Sequence, residues 1–523
     1  MSERLFRLAA IVRADVLIRL RRPSTAVVFL LLSIIPYMWI PDPATGRALI
    51  QIGGKRALYN SAAIGMATAV LGTMFIGLVG FYVISNALRR DVISRCGFVI
   101  ASTTMRGSEY IAGKFAGNVA FLSLFTLGYM AVAMAMVVVR GEAPLQPLVF
   151  AKQYLILMPP AIVFVSAIAL VFECTPLLRS KLGDVAYFFL WLMLMGSVTM
   201  LTEKGIAPGV AQYFDVSGLG FLMQQIRSMY GTLEMSIGAS TFDKAKPPLV
   251  FPGLQLSAEW LLPRIGATLW PIGLLGIARL FFHRFDPARV RVVPNAKSHG
   301  SWIGRFNAMA KPLARLFVRV LAPLSRTPAM TDAVTTIAAF PLTIVAIIGF
   351  AIAALASDAH GLFTGLLPFA FAACSIALAD IACREKRAGT TALVFAAPGL
   401  RTRFVWWKFS STLFVALAFL AVPLARAIAL RPSSAFALLT GVVFLAAAAT
   451  ALGIVSANPK TFIVAFLTFW YVALSDKGLS PSLDFAGWFA RATPLVTATY
   501  AAIALGFLTI AHLFHTHELR RRW

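Results

Sequence analysis

Residues 62–87 read AAIGMATAVLGTMFIGLVGFYVISNA and contain no charged side chain. An α-helix rises about 1.5 Å per residue, so this run is longer than the hydrocarbon core of a bilayer, which is about 30 Å thick. In that core the backbone amides must be paired within the segment itself, and a helix does this. The run therefore predicts a transmembrane helix.

The rest of the chain has the same character. Of its 523 residues, 59% are hydrophobic and 13% are charged, whereas soluble domains carry about 25% charged residues. We predict an all-α polytopic membrane protein with about 12 transmembrane helices and no soluble enzyme domain. The predicted spans are 24–42, 62–87, 118–139, 154–173, 185–202, 265–282, 333–356, 362–383, 410–430, 434–456, 461–475 and 495–514.

The net charge of +26 does not indicate a nucleic-acid-binding protein. Most of the 47 lysines and arginines lie between the apolar runs, and they concentrate in alternate gaps. Cytoplasmic loops of membrane proteins carry such an excess of basic residues. We therefore expect a multi-pass protein of the cytoplasmic (inner) membrane with both termini in the cytoplasm.

The longest basic gap divides the predicted spans into two sets of six. We predict a first repeat over residues 1–290, with a large outer loop at 203–263, and a second over 291–523. Apolar residues recur at three- and four-residue steps in 4–22 and in 301–325, with basic residues on the other faces. This pattern predicts an amphipathic interfacial helix before each six-helix repeat.

A second feature recurs after the second span of each half. Residues 89–118 read RRDVISRCGFVIASTTMRGSEYIAGKFAGN, and residues 384–411 read REKRAGTTALVFAAPGLRTRFVWWKFSS. Each segment has an Arg-acid pair, a glycine, a short helical stretch, a turn with basic residues and a lysine that opens the next span. We expect the glycine to allow a sharp turn and the basic side chains to extend to the headgroups.

These two segments resemble the loop between spans two and three of ABC-2-type permeases, the membrane subunits of type 2 ATP-binding-cassette transporters. The family pattern is acid…G…L/I…S/T-x-P-x-R…Y-x-x-GK-x-x-G. The first copy has Thr104 where proline is common in the family. The second has Trp407 where the family has the glycine that precedes the lysine. The similarity extends to the amphipathic helix and to six spans per unit, so the chain resembles two fused permease copies.

The resemblance implies that each loop carries a coupling helix that docks on an ATPase subunit. One chain with two such loops could serve two ATPase copies. The residues assigned to this contact are Arg90, Asp91, Gly97, Ser102, Arg106, Lys114, Arg384, Glu385, Gly389, Pro398, Arg401 and Lys408.

The sequence lacks a G-x-x-x-x-G-K-[S/T] phosphate loop, so we expect no ATPase activity in the chain itself. ATP and Mg²⁺ would bind to the partner, and this chain would hold no cofactor and contact membrane lipids. His512 and His515 lie one turn apart without a suitable third ligand, so no metal site is predicted. No catalytic constellation is found either.

The main alternative is a secondary transporter of the major facilitator type, which also has six plus six spans. Its G-x-x-x-D-R-x-G-R-R signature is missing after span two, and the loops here are longer than in that family. A membrane-embedded transferase would need clustered polar residues at a membrane face. The sequence does not indicate a substrate.

Overall fold

The structure is a computed structural model. It describes the chain apart from residues 1–2, 22–24, 26–35, 38, 177, 180, 204–211, 284, 340, 398, 477, 479 and 523, and apart from most of 286–326. The chain divides into two compact units, Met1–Pro294 and Asn295–Trp523. Each predicted apolar run is mainly helical, except 24–42, most of which lies outside the described residues.

Within the described ranges, eight helices are long and apolar enough to cross a membrane, or up to nine if one bent pair is a single span. The bent pair is Pro328–Ala338 with Thr343–Ala356. The helices near 185–202 and 461–475 have shorter apolar stretches, Gly183–Gly196 and Pro459–Leu474. The chain is therefore a mainly helical, membrane-embedded protein, and the count of 12 spans stays a prediction.

The first unit consists of helices that run back and forth between two ends. The loop end contains residues 87–106, and the sheet end contains the strands within 47–56 and 235–241. The second helix continues through a π-helical turn, Ile76–Gly80, to Ile84. The helices are α1 (Glu3–Leu20), α2 (Ser61–Phe75), α3 (Ala87–Ile93), α4 (Cys96–Ser102), α5 (Gly107–Arg140), α6 (Pro147–Cys174), α7 (Lys181–Glu203), α8 (Leu219–Tyr230), α9 (Ala258–Leu269) and α10 (Leu274–Phe281).

A small sheet lies at the opposite end from the α3–α4 loop, and the all-α prediction missed it. Strand β1 (Arg47–Ile52) pairs antiparallel with both β2 (Lys55–Arg56) and β3 (Met235–Thr241). The Glu142 carboxylate anchors the sheet to the α5–α6 turn, because it accepts two bonds of 2.7 Å from Arg56. The hydrogen bond from Arg56 is the main reason that the pKa of Glu142 is lowered.

Part of the predicted outer loop 203–263 lies alongside helix α2, away from the sheet end. The Thr73 hydroxyl donates to the Ser217 carbonyl over 2.7 Å, and Thr73 lies about 18 Å along α2 from Ser61. Helix α8 begins at Leu219, directly after this contact, and runs back toward the sheet. Residues 215–230 therefore form a re-entrant segment alongside α2, which the sequence analysis did not predict.

The second unit consists of helices joined by loops, with no strand among its described residues. The predicted amphipathic helix 301–325 lies mostly outside the described residues. The first described helix of this unit begins at Pro328 and ends just before Pro341. The helices are α11 (Pro328–Ala339), α12 (Pro341–Ala356), α13 (Leu367–Leu378), α14 (Arg384–Ala388), α15 (Thr391–Phe395), α16 (Leu400–Leu430), α17 (Ala435–Ser456), α18 (Pro459–Ser475) and α19 (Pro494–Arg522).

Helix α1 is amphipathic in an unexpected sense. Its apolar side chains Leu5 and Phe6 are exposed, whereas Asp15 and Arg19 are buried against the rest of the unit. An apolar outer face suits a helix that lies in the headgroup region. The buried charges on its inner face are a feature that the sequence analysis did not anticipate.

Candidate functional site

The two recurring loops have the same structure at a constant offset of 294 residues. In the first unit α3 and α4 lead into α5, and in the second α14 and α15 lead into α16. The Arg-acid pair Arg90-Asp91 corresponds to Arg384-Glu385, and Lys114 corresponds to Lys408. No gap is needed between these positions, so the two loops are structurally equivalent elements.

The centre of the first loop's base is a buried lysine. Lys114 Nζ lies 3.0 Å from Asp15 Oδ1 and 2.8 Å from Asp91 Oδ2. Its side chain is 6% exposed. It therefore does not extend to the headgroups, contrary to the expectation from the sequence. A buried ammonium group is stable only where charged partners replace the lost water, and the two carboxylates do so.

Two arginines complete the first cluster. Arg19 lies 2.7 Å from Asp15 Oδ2 and donates to the Asn118 side chain over 2.7 Å. Arg90 pairs with Asp15 and lies 3.5 Å from Asp91. Burial raises the pKa of Asp15, but the three cations outweigh this effect and lower it below its ordinary value.

Small residues let α1 approach α5 closely enough for these pairs. A Cβ at Gly113 would come within 2.9 Å of Ile11, and one at Gly117 within 3.3 Å of the Asp15 side chain. A larger side chain at Gly113 would therefore push α1 away. The glycines of the G-K-x-x-G segment thus serve the contact with α1.

The second unit has an equivalent cluster. Lys408 is fully buried and lies 2.9 Å from Asp332 Oδ2, and its ammonium group also pairs with Glu385. Arg384 lies 3.3 Å from Asp332, and the Ser411 hydroxyl donates to the same carboxylate over 3.1 Å. An acid from the preceding helix, an acid from the loop and a lysine from the next span therefore meet in both units.

The turn between the two short helices shows that Gly97 and Gly389, the glycines that the sequence comparison treats as equivalent, are not equivalent. Gly389 has φ +71° and ends α14, as expected of a turn glycine. Its counterpart at the offset of 294 is Arg95, which has φ +59°, and not Gly97. Gly97 lies within α4, where a Cβ would come within 2.7 Å of the Phe285 ring. Gly97 therefore allows close packing rather than a turn.

Aromatic contacts hold the start of α5 and of α16, next to each loop, against residues near or just after the end of a later helix. The Tyr110 ring stacks on Phe282 at a centroid distance of 5.4 Å and meets Phe285 edge-on at 5.2 Å. At the position equivalent to Tyr110, Phe404 stacks on His515 of α19 at 5.2 Å. These contacts link each loop to the end of a span that is distant in sequence.

Tyr110 and Phe404 differ in one respect that affects the clusters. The Tyr110 hydroxyl donates to Asp91 Oδ2 over 2.6 Å, and phenylalanine cannot make this bond. Glu385 Oε2 is buried and has no hydrogen-bond partner among the described residues. The buried lysine of each cluster lies at a similar distance from its ring centroid, 5.5 Å between Lys114 and Tyr110 and 5.8 Å between Lys408 and Phe404.

Other predicted site residues lie on the outside of the loops or in their turns. Ser102 and Arg106 are exposed, and the Arg106 amide is capped by Glu109 over 3.2 Å at the start of α5. The Arg401 carbonyl lies 2.8 Å from His515 Nε2. Pro398 lies outside the described residues.

Each loop also presents an exposed aliphatic residue at the same position. Val99 is 66% exposed on α4, and Leu393, at the offset of 294, is 77% exposed on α15. Cys96 is exposed one helical turn before Val99, and Thr390 is exposed at the equivalent place. The base of each loop is therefore charged and buried, whereas its accessible outer face carries an exposed aliphatic side chain among polar ones.

Sequence reasoning missed three acids that hold the loops. Asp15 and Asp332 come from the preceding helices, and Glu173 accepts bonds from the Ala87 and Leu88 amides at the start of α3. A carboxylate at a helix N-terminus is favoured by the free amides and the helix dipole. A signal existed for Asp15, because it is the only acid among the basic residues between Arg4 and Arg22.

Comparison of the chain with known protein families, curated proteins and solved structures finds no match.

Proposed function

We propose that this chain is the transmembrane permease of an ABC-2-type exporter and that both repeats lie in one polypeptide. The observation that carries the proposal is the repeated loop. At a constant offset of 294 residues, two short helices stand on a buried ion cluster and expose an aliphatic residue at the same position, Val99 or Leu393. A loop that is rigidly attached to three helices can transmit a push from a partner to the spans.

The proposed partner is an ATPase subunit that binds ATP and Mg²⁺. One chain would contact two copies of it, one through each loop, in a cytoplasmic (inner) membrane with both termini inside. An exposed aliphatic side chain of this kind would gain free energy by entering an apolar pocket on a partner, because its apolar surface would be removed from water. The buried clusters would keep each anchor in a fixed position before docking.

The position of the charged groups favours this proposal over an ion-coupled transporter. Lys114 and Lys408 lie within about 13 Å of the start of α5 and α16, at the loop end of these helices. Proton- or ion-coupled transporters place ionisable residues and coupling sites near the bilayer midplane. The clusters described here are instead next to the loops that they support.

The test replaces the two anchors. Val99→Glu and Leu393→Glu are made singly and together, and the chain is purified with the ATPase subunits of its host. We expect each single variant to reduce the amount of ATPase that co-purifies and the double variant to abolish it. Val250→Glu is the matched control, because Val250 is an aliphatic residue, 63% exposed, in the predicted outer segment.

The proposal is wrong if no ATPase co-purifies with the unmodified chain, or if the double variant retains it fully. Transport that survives vanadate but is abolished by a protonophore would instead support the major facilitator alternative.

A further inference from the structure

A cavity of about 470 Å³ lies within the first unit, between α2, α8 and the start of β3. Leu71 and Met74 of α2 form one wall, and Leu219 and Met223 of the re-entrant helix α8 form the other. Glu234 and Met235 close it on the side of the sheet. Its size is within the range of about 300–1,000 Å³ that is typical of ligand pockets.

The depth of this cavity is set by α2. Leu71 and Met74 lie about 15–20 Å along the helix from Ser61. The cavity therefore extends from the sheet to the middle of a helix that is long enough to span a bilayer. It owes its existence to the re-entrant course of residues 215–230, since α8 leaves a gap beside α2 that a closely packed span would fill.

The lining is apolar and adaptable. Three of its residues are methionines, Met74, Met223 and Met235. Methionine has an unbranched, flexible side chain with a polarizable sulfur, and it is common at surfaces that bind ligands of varied shape. These walls suit an apolar molecule with aromatic or aliphatic groups rather than a sugar or a peptide backbone.

The charge of the lining is negative. Glu234 is the one ionisable residue among the described residues around the cavity, and no hydrogen bond or ion pair of its carboxylate is found. The positive end of α8 does not offset it, because Asp215 already accepts bonds of 2.8 Å from the Gly218 and Phe221 amides. An anionic ligand would meet a side chain of like charge here, whereas a cation would meet one of opposite charge.

We infer that this cavity binds apolar molecules that carry one positive charge. Their apolar groups would fill the space between Leu71, Met74 and Met223, and the charged end would lie toward Glu234. The further step, that such cations are the exported cargo, rests on the proposed function. Binding itself does not depend on it.

The experiment measures equilibrium binding of methyltriphenylphosphonium to the purified chain, without ATPase and without ATP. Triphenylphosphine oxide is the neutral probe of similar shape. Glu234→Gln removes the charge, and Glu259→Gln is its control, because Glu259 is another exposed acid, at the start of α9. Leu71→Trp and Met74→Trp fill the cavity from one wall, so that one of them tests occupancy if the other misfolds.

We expect saturable binding of the cation, weakened about fivefold by Glu234→Gln and unchanged by Glu259→Gln, as for one partly solvated charge contact. The tryptophan variants should weaken both probes at least tenfold, and Glu234→Gln should leave the neutral probe unaffected. The inference is overturned if binding is not saturable, if the filling variants bind normally, or if both acid variants behave alike. A chain that binds the cation but no ATPase would refute only the proposed function.

Discussion

Lys114 Nζ lies 3.0 Å from Asp15 Oδ1, and 294 residues later Lys408 makes the same contact with Asp332 at 2.9 Å. In both units the acid comes from a helix earlier in the unit than the loop, α1 or α11, and the lysine comes from the helix after the loop, α5 or α16. At least three charged side chains are thereby largely removed from water at each site. Such groups are costly to bury unless they are paired, so the recurrence of the arrangement indicates a shared role in both halves.

We predict that Lys114→Met and Lys408→Met each destabilise the protein strongly, by about 3–5 kcal/mol, because each removes the buried cation that contacts both carboxylates most closely. Unfolding is followed with a thiol-reactive fluorophore in a Cys96→Ser background. Cys174, Cys374 and Cys383 are buried, so their exposure reports the unfolding of both units.

Lys55→Met is the control for this series. Lys55 is an exposed residue of β2 with no ion pair among the described residues, and its loss should leave Tm nearly unchanged. Equal Tm values for Lys55→Met and Lys408→Met would show that the buried cluster does not stabilise the fold.

A second prediction uses the difference between Tyr110 and Phe404. Tyr110→Phe removes the donor to Asp91 and should cost about 1–3 kcal/mol, the penalty of a buried group without its partner. Phe404→Tyr should raise stability by about 1 kcal/mol, because the new hydroxyl would lie near the unpaired Glu385 Oε2. The same thiol assay gives both values. Destabilisation by both changes would show that the two aromatic sites are not equivalent.

A third prediction concerns acid. The pKa of Asp15 is lowered in the fold, so its contribution to stability is present above its ordinary pKa, about 4, and is lost as the pH falls through the folded value. The Tm difference between the unmodified chain and Asp15→Asn should therefore be constant from pH 7 to about pH 5 and shrink below about pH 4. Asp243→Asn, which alters an exposed carboxyl, should show no such dependence. A difference that stays constant at low pH would contradict the assignment.

The fold was largely predictable because its main signal is local. A long uncharged run such as 62–87 has one stable form in a bilayer, and the helices lie where these runs occur. The sheet could not be predicted in the same way, since β2 has two residues and β1 pairs with β3 nearly two hundred residues later. The re-entrant course of 215–230 also depends on distant contacts, such as that between Thr73 and Ser217.

The candidate site was predicted in outline. The sequence located both loops, because the residue types recur with equal spacing between the Arg-acid pair and the lysine. It did not show that the lysines are buried, since a lysine near the end of a span can equally extend to the headgroups. The partners Asp15 and Asp332 could not be found from spacing, because they lie at different distances from their loops in the two units.

The last prediction concerns Arg264, whose buried side chain donates only to carbonyl groups of the described residues. It bonds the Asp215 carbonyl over 2.6 Å, that of Leu157 over 2.9 Å and that of Ile156 over 3.2 Å. In a regular helix the amide of residue 160 would bond Ile156, but Pro160 has no N–H. Arg264 therefore replaces a backbone bond that the proline removes from α6.

Arg264→Leu should destabilise the first unit by several kcal/mol, since each buried carbonyl left without a donor costs about 1–3 kcal/mol. Adding Pro160→Ala restores an N–H for Ile156 and should recover about 1 kcal/mol of this loss. Pro159→Ala is the matched control, because its amide would bond Leu155, which Arg264 does not contact. The thiol reactivity of Cys174 provides the measurement, because this buried cysteine lies at the end of the same helix. Equal recovery by both alanine variants would mean that helix propensity, and not the hydrogen bond to Ile156, explains the rescue.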